Sequence, residues 1–174
     1  MVKSANFDDS TKINHKQSET FRRKGKKMNP SNNIGSLEQN KEIARKFYEL
    51  IGSRKYDEAA RLCHPQFVYI PQVGRELKGA QAFIAIESAN MDPFGEFKMK
   101  NEFMIAENDR VAVYLTFEGD LQGDSWLGVP VSRKHLHIDF MCMLKFKNGK
   151  IIEKRAKYNM VDHFRQLGVK NLPL

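Results

Sequence analysis

A long alternating strand and the hairpin that follows it form the strongest pattern in this chain. Apolar residues occupy every second position from Leu136 to Phe146, which is the period of a strand with one buried face. Asn148-Gly149 is typical of two-residue hairpin turns, and a returning strand is predicted from Lys150 to Tyr158. Two long strands joined by so short a turn require an antiparallel sheet.

Three helices are predicted ahead of this hairpin. The first is predicted to start at the capping pair Ser36 and Gln39 and to end at Gly52. Its buried face consists of apolar residues at helical spacing, namely Ile43, Ala44, Phe47, Leu50 and Ile51. Two shorter helices are predicted over residues 56–63 and 79–91.

Further strands are predicted over residues 67–70, 97–106 and 111–117. His64-Pro65 is predicted to break the chain between the second helix and the first strand, with His64 as a cap at the helix end. Helices first and a meander of long strands after them indicate an α+β domain rather than a parallel α/β sheet. A curved sheet packed against helices leaves a pocket between the two layers.

The positive charge of the chain is concentrated at its N-terminus. The net charge is +8, but residues 1–27 hold eight basic and three acidic residues, which leaves +3 for residues 28–174. A nucleic-acid partner for the domain is therefore not expected. Residues 1–36 are polar and lack apolar periodicity, so they are predicted to be a disordered tail. The domain is predicted to span residues 37–169, with a short tail at 170–174.

A second hypothesis concerns the first 27 residues. The segment from Arg22 to Lys27 can be written entirely with purine codons, and Met28 follows it directly. A purine-rich stretch before a Met is what a translated ribosome-binding site looks like. The hypothesis is that the natural protein starts at Met28 and that residues 1–27 are not translated.

The rest of the composition indicates a cytoplasmic protein of one domain. The chain has 174 residues, no apolar run near the roughly 20 residues that span a bilayer, and no apolar core typical of a secretory signal. Its two cysteines, Cys63 and Cys142, are isolated in apolar surroundings and are predicted to be buried thiols. No phosphate-binding Gly-rich loop, nucleophile elbow or HExxH motif occurs, so no cofactor is expected.

Six short motifs occur in one order along the chain. They are Ile43–Tyr48, His64-Pro65 before Phe67, Gly79 before Ala82-Phe83, the Gly119, Gly123 and Gly128-Val129-Pro130 series, Gly149–Ile151 and Gln166–Gly168. With these motifs the segment 37–169 resembles the SnoaL-like polyketide cyclase family, within the nuclear transport factor 2-like superfamily. The resemblance implies a cone-shaped domain whose N-terminal helices pack on a curved, mostly antiparallel sheet. It also implies a cavity for a small hydrophobic molecule, polyketide-like or steroid-like.

Three polar positions of the family are altered. The resemblance places the catalytic Asp of the cyclases at Ala156, a cavity His at Cys142 and another common Asp at Asn159. Alanine has no proton to exchange, so the usual general acid or base is absent. The chain is therefore expected to be ester cyclase-like without that chemistry.

Six residues are predicted to line the cavity: Tyr69, Trp126, Phe140, Cys142, Ala156 and Tyr158. Tyr69 is a catalytic candidate because its hydroxyl can donate to a ligand carbonyl or enolate, with a core tyrosine as the alternative. Trp126 is predicted to lie near the mouth, either as a lid or as a packing plug.

Lys154 and Asp139 are the other catalytic candidates, and Glu118 is a further possible base. Lys154 shares a strand face with Ala156, so it is either a base or Schiff-base lysine inside the pocket or a rim residue with its ammonium in water. The rim position is the preferred prediction.

Asp139 shares a strand face with His135, His137, Met141 and Met143. The two histidines and Asp139 are potential metal ligands, but no fourth ligand is evident, so no metal is expected. The methionines favour a subunit contact, which predicts a homodimer through this face.

Three functions remain open from the residues. The leading hypothesis is a protein with an apolar cavity for a small hydrophobic ligand. The second is an active proton-transfer enzyme, such as a cyclase, isomerase or dehydratase, that uses other cavity residues. The third is a non-catalytic dimerisation or interaction module, whose sheet face makes a dimer or contacts another protein.

Overall fold

The computed structural model describes residues 30–170, with side chains from residue 36 onward. Its helices are α1 (Pro30–Gly52), α2 (Tyr56–Arg61), α3 (Ala80–Met91) and α4 (Met160–Gln166). Its strands are β1 (Cys63–Ile70), β2 (Leu77–Lys78), β3 (Phe94–Glu107), β4 (Arg110–Leu121), β5 (Ser125–Trp126), β6 (Val129–Pro130), β7 (His135–Lys147) and β8 (Lys150–Tyr158). Among residues 30–170, no helix is long and apolar enough to cross a membrane.

Six of the strands form one curved sheet in the order β2-β1-β8-β7-β4-β3. Every neighbouring pair is antiparallel except β1 and β8, which are parallel. The predicted hairpin between β7 and β8 is confirmed, since Lys147 pairs with Lys150 and both turn residues, Asn148 and Gly149, have positive φ angles of 52° and 72°. The predicted α+β class is confirmed.

The first helix begins earlier than its sequence pattern predicts. It starts at Pro30, so Ser36 lies within the helix and the predicted start at the Ser36–Gln39 pair is wrong. Proline suits the first position of a helix because no hydrogen bond is required of its nitrogen there. The last part of the expected tail is thus helical. The rest of that tail, residues 1–29, lies outside the described residues, as does the hypothesised start at Met28.

The second helix ends earlier than predicted, at Arg61, and β1 already begins at Cys63. His64 and Pro65 therefore lie inside a strand, where the pairing with β8 is irregular between Cys63 and Val68. Such an irregularity accommodates a proline, which cannot donate to a neighbouring strand. The prediction that His64 caps a helix is wrong, because its Nδ1 accepts from the Gln66 backbone N–H at 3.1 Å.

Helix α3 is fixed to the rest of the domain by aromatic packing. The Phe83 side chain is fully buried, and its ring centroid lies 5.8 Å from that of Phe47, 5.6 Å from that of Phe67 and 5.1 Å from that of Tyr69. These contacts join α3 to α1 and β1. A second aromatic cluster, around Phe94, lies at the other end of the sheet's inner face.

Replacement of Phe83 by alanine should destabilise the protein by about 3–5 kcal/mol, because it removes a large buried ring at the junction of three elements. Urea unfolding measures this change. The control is Val73→Ala at a 67% exposed position, which should alter the free energy of unfolding by less than about 0.5 kcal/mol. A Phe83→Ala effect as small as the control would contradict this packing.

Candidate functional site

A cavity of about 100 Å³ lies on the inner face of the sheet, where the two aromatic clusters meet. Helices α3 and α4 and the short strand β5 enclose it against β7 and β8. Most of its walls are apolar: Met91, Phe94, Phe117, Trp126, Leu127, Leu136, Ile138, Phe140, Ala156 and Met160. The side chains of Tyr69, Glu87, Asn90, Lys154, Tyr158 and His163 complete the lining. A few polar groups in an apolar pocket are typical of small-molecule sites.

The structure places five of the six predicted cavity residues in this lining, namely Tyr69, Trp126, Phe140, Ala156 and Tyr158. Cys142 does not line the cavity, although it is on the same strand face as Phe140 and is fully buried. Its thiol lies near the Tyr48 side chain of α1, and both side chains are buried in the core. Burial is the main cause that raises the pKa of Cys142, so the thiol is protonated and unreactive at neutral pH.

Lys154 is the main correction to the predicted site. Its side chain is only 3% exposed, so the prediction of a rim lysine with its ammonium in water is wrong. The Nζ atom lies 2.9 Å from Oε1 of Glu87, which projects from α3 and is also buried. The lysine can point inward because the Glu87 carboxylate pairs with its charge there, whereas an unpaired charge would have to remain in water.

The Lys154 ammonium is further surrounded by aromatic rings. It lies 4.3 Å from the ring centroid of Phe83 and 4.9 Å from that of Tyr69, within the range of cation–π attraction. Burial is the largest single effect on the pKa of Lys154 and lowers it. The charge of Glu87, together with smaller effects of Cys142, Tyr69 and the Glu87 hydrogen bond, outweighs burial, so the pKa is raised above the ordinary lysine value. Lys154 therefore stays charged near neutral pH, which excludes it as a free amine for a base or a Schiff base.

Two tyrosines bring hydroxyl groups to the same cavity. Burial raises the pKa of Tyr69 to about 12, against an opposing effect of the nearby Lys154 charge. Burial also raises the pKa of Tyr158. Both hydroxyls are therefore protonated at neutral pH and are hydrogen-bond donors to whatever occupies the cavity.

His163 is a cavity residue that the sequence reasoning missed. It is 4% exposed, and its ring stacks on Tyr158 with centroids 5.5 Å apart and planes at 19°. Burial lowers the pKa of His163, against smaller raising effects of Asp162 and Asp139, so the imidazole is neutral at pH 7. Asn159 positions the histidine, because its side chain caps α4 by accepting from the Asp162 N–H at 3.1 Å.

Glu87 was also missed, although the sequence contains a signal for it. It comes four residues after Phe83 and three after Ile84, and residues at these spacings share one helical face. That face is the buried one, so a carboxylate on it indicates a buried partner. For His163 the corresponding signal was the Asn159 cap, which marks the start of the helix that carries it.

Asp139 lies outside the cavity. It is exposed on the opposite face of β7 from Ile138 and Phe140, as strand alternation requires, and it hydrogen-bonds the Tyr114 hydroxyl. The structure thus gives no support to Asp139 as a base for a cavity ligand.

The neighbouring histidines are exposed on the same outer face. Nδ1 of His135 lies 2.9 Å from Asp120, with Glu118 at 3.6 Å from Nε2. Within residues 30–170 no group of three or more metal-binding side chains comes together, so His135, His137 and Asp139 do not form the considered metal site.

Trp126 closes one end of the cavity. Its ring is 7% exposed and packs against Phe94 and Phe164, with centroids 6.0 Å and 5.7 Å away. The indole Nε1 donates to the Asn90 carbonyl at 3.3 Å, which ties β5 to α3. This geometry is that of a packed plug that also contributes to the cavity wall.

The comparisons with known proteins agree with this architecture. The model of the SnoaL-like polyketide cyclase family matches residues 41–167, and the chain belongs to this family. No curated protein sequence matches the chain.

Among solved structures, a proposed SnoaL-like polyketide cyclase from Jannaschia sp. CCS1 is similar with a TM-score of 0.70, at 20% identity over 84% of this chain and 100% of the other. AclR from Streptomyces galilaeus, a proposed hydroxylase, has a TM-score of 0.66 at 18% identity over 76% of this chain and 97% of its own. An LEH-like epoxide hydrolase from M. tuberculosis has a TM-score of 0.60 at 14% identity over 76% of this chain and 91% of its own. At such identities these likenesses confirm the cone-shaped nuclear transport factor 2-like fold, and the different names show that this fold carries several activities.

The lowered pKa of His163 predicts a pH-dependent stability. In the unfolded chain the imidazole gains a proton as the pH falls below about 6.5, whereas the buried ring gains it only at lower pH. Stability is therefore lost as the pH falls from 7.5 to 5.5, and His163→Gln should make this loss smaller. Urea unfolding at both pH values measures it.

The control for this prediction is His137→Gln, at an exposed histidine of β7. It should show the same loss of stability as the wild type. An unchanged pH dependence in His163→Gln would show that His163 is not buried as a neutral ring.

Proposed function

We propose that this protein binds a small, ring-shaped hydrophobic molecule in the cavity. The observation that carries this proposal is a cavity of about 100 Å³ with apolar walls, into which Tyr69, Lys154 and His163 bring the polar groups. In another protein an apolar cavity of roughly 150 Å³ holds one benzene molecule. This cavity is smaller, so its volume admits no more than one ring, such as the terminal ring of a polyketide-like or steroid-like molecule, and disfavours a whole fused-ring skeleton.

The positions where the family has its proton-transferring side chains hold no acid or base facing the cavity in this protein. Ala156, where the resemblance places the catalytic Asp, contributes only a methyl group to the wall. Cys142 is sealed in the core, and Asn159 is used as a helix cap. These placements support binding without the cyclisation reaction.

The two cysteines are buried free thiols, which supports a cytoplasmic location.

Binding can be tested with toluene as the probe. It should quench the fluorescence of Trp126, the single tryptophan, and raise the melting temperature by linkage. Ala156→Leu should weaken binding at least about tenfold by filling the cavity, a difference of about 1.4 kcal/mol. The matched control is Ala85→Leu, on the exposed side of α3, which should bind toluene like the wild type.

Absence of toluene binding in the wild type would refute the proposed function. The wild type should also fail to cyclise polyketide esters. Efficient cyclisation would show instead that the cavity contains a working catalytic group.

A second candidate function, proton transfer, is favoured by one observation. His163 lines the cavity as a neutral imidazole, which is the state needed to remove a proton from a ligand carbon next to a carbonyl. Deuterium exchange into a small ring ketone measures this activity. It should be detectable in the wild type and lost in His163→Gln, and exchange no faster than in buffer would exclude it.

We also propose that the protein forms a homodimer through the outer face of the sheet. Phe103, Ile105 and Met141 are 51%, 63% and 46% exposed on β3 and β7, an unusual amount of apolar surface for a solvated sheet. Tyr114 and Met143 lie beside them on the paired strands. This apolar face supports a contact between two copies.

Analytical ultracentrifugation should give twice the monomer mass at a protein concentration of ~10–50 µM, as expected for an interface of standard size. Ile105→Glu together with Met141→Glu should give a monomer by placing charges in the contact. Val73→Glu, which changes an equally exposed apolar residue away from this face, should remain dimeric. A monomeric wild type would reject the proposal.

A further inference from the structure

The Lys154 ammonium has more hydrogen-bond donors than acceptors around it. A lysine ammonium carries three N–H donors. In the described part of the chain one oxygen, Oε1 of Glu87, accepts from it, and the other close neighbours are the rings of Phe83, Tyr69 and Tyr48. The side chain is 3% exposed and lines the cavity. A buried donor without an oxygen partner is costly, so an oxygen atom in the cavity would stabilise this site.

Tyr69 lies beside Lys154 on the same wall. The two residues are register partners on the parallel strands β1 and β8, and the ammonium lies 4.9 Å from the Tyr69 ring centroid. The Tyr69 side chain also lines the cavity, and its hydroxyl stays protonated at neutral pH because burial raises its pKa. Two donors, one charged and one neutral, are thus available to a single acceptor at this wall.

The charge of the pair limits what the acceptor can be. Lys154 and Glu87 are 2.9 Å apart and together are neutral. An anionic ligand would leave a net negative charge in a buried site and would be repelled by Glu87 at short range. A carbonyl oxygen accepts the same hydrogen bonds without adding charge.

We infer that the ligand is a neutral ring compound with a carbonyl group, a ketone, ester or amide, whose oxygen accepts hydrogen bonds from Lys154 and Tyr69. This inference rests on the proposed binding function and names its ligand class. The ring lies among the apolar walls formed by Phe117, Ile138 and Phe140. Glu87 is a positioning residue, because it holds the ammonium at the cavity and balances its charge.

The experiment compares three probes of nearly equal size on the full chain by titration calorimetry. Acetophenone has the carbonyl, ethylbenzene is its apolar counterpart, and benzoate is its anionic counterpart. Acetophenone should bind about tenfold more tightly than ethylbenzene, since hydrogen bonds from a charged donor contribute in that range. Benzoate should bind more weakly than acetophenone.

Two variants assign the preference to the donors. Lys154→Met combined with Glu87→Gln removes both charges together, and it should reduce the ratio of acetophenone affinity to ethylbenzene affinity from about tenfold to about one. Tyr69→Phe removes one hydroxyl and should lower the preference without altering the charges. The matched control is Lys41→Met with Glu38→Gln, an exposed ion pair of 3.0 Å on α1, which should keep the full preference.

Each outcome decides between the claims. Equal binding of acetophenone and ethylbenzene to the wild type would overturn the carbonyl inference and leave the binding function standing. Tightest binding of benzoate would also overturn it, in favour of an anion. Binding of none of the three would refute the proposed function and the inference with it. If Tyr69→Phe and the double variant both still bind acetophenone about tenfold more tightly than ethylbenzene, groups other than Lys154 and Tyr69 bind the carbonyl, and the inference is wrong.

Discussion

The buried ion pair between Lys154 and Glu87 is the interaction on which the candidate site depends. Two charges removed from water each carry a penalty of several kcal/mol, which is compensated only when geometry and neighbours are favourable. Here the separation is 2.9 Å, and the rings of Phe83 and Tyr69 face the ammonium. Because Glu87 is on α3 and Lys154 on β8, the pair fixes the helix layer against the sheet at the cavity.

The cavity follows from this arrangement. Phe83 and its ring neighbours fill one end of the space between the layers, and the cluster around Phe94 fills the other. Between them a space remains, and the polar side chains of the pair line it together with Tyr69 and His163. The result is a small space with apolar walls and a few fixed polar groups, which is the physical basis for the proposed recognition of one ring and one carbonyl.

The sequence predicted the parts of the fold that depend on local patterns. The β7–β8 hairpin follows from the alternation of apolar residues and from the conformational preferences of Asn148-Gly149. The structure has both the antiparallel pairing and the positive φ angles of the turn. The Glu87–Lys154 contact joins residues 67 positions apart and depends on how α3 lies over β8, which no local pattern contains. Cys142 shows the same limit: its strand face was predicted correctly, but it lies in the core near Tyr48 of α1 and not at the cavity.

A double-mutant cycle on Lys154 and Glu87 tests the central claim most directly. Urea unfolding should show that Lys154→Met alone destabilises the protein by about 3–5 kcal/mol, because it leaves Glu87 buried without a partner. Adding Glu87→Leu should recover most of that loss, so the two single effects should be strongly non-additive. If each single variant costs less than about 1 kcal/mol and the two effects add, the pair is solvated and the proposed charged wall of the cavity does not exist.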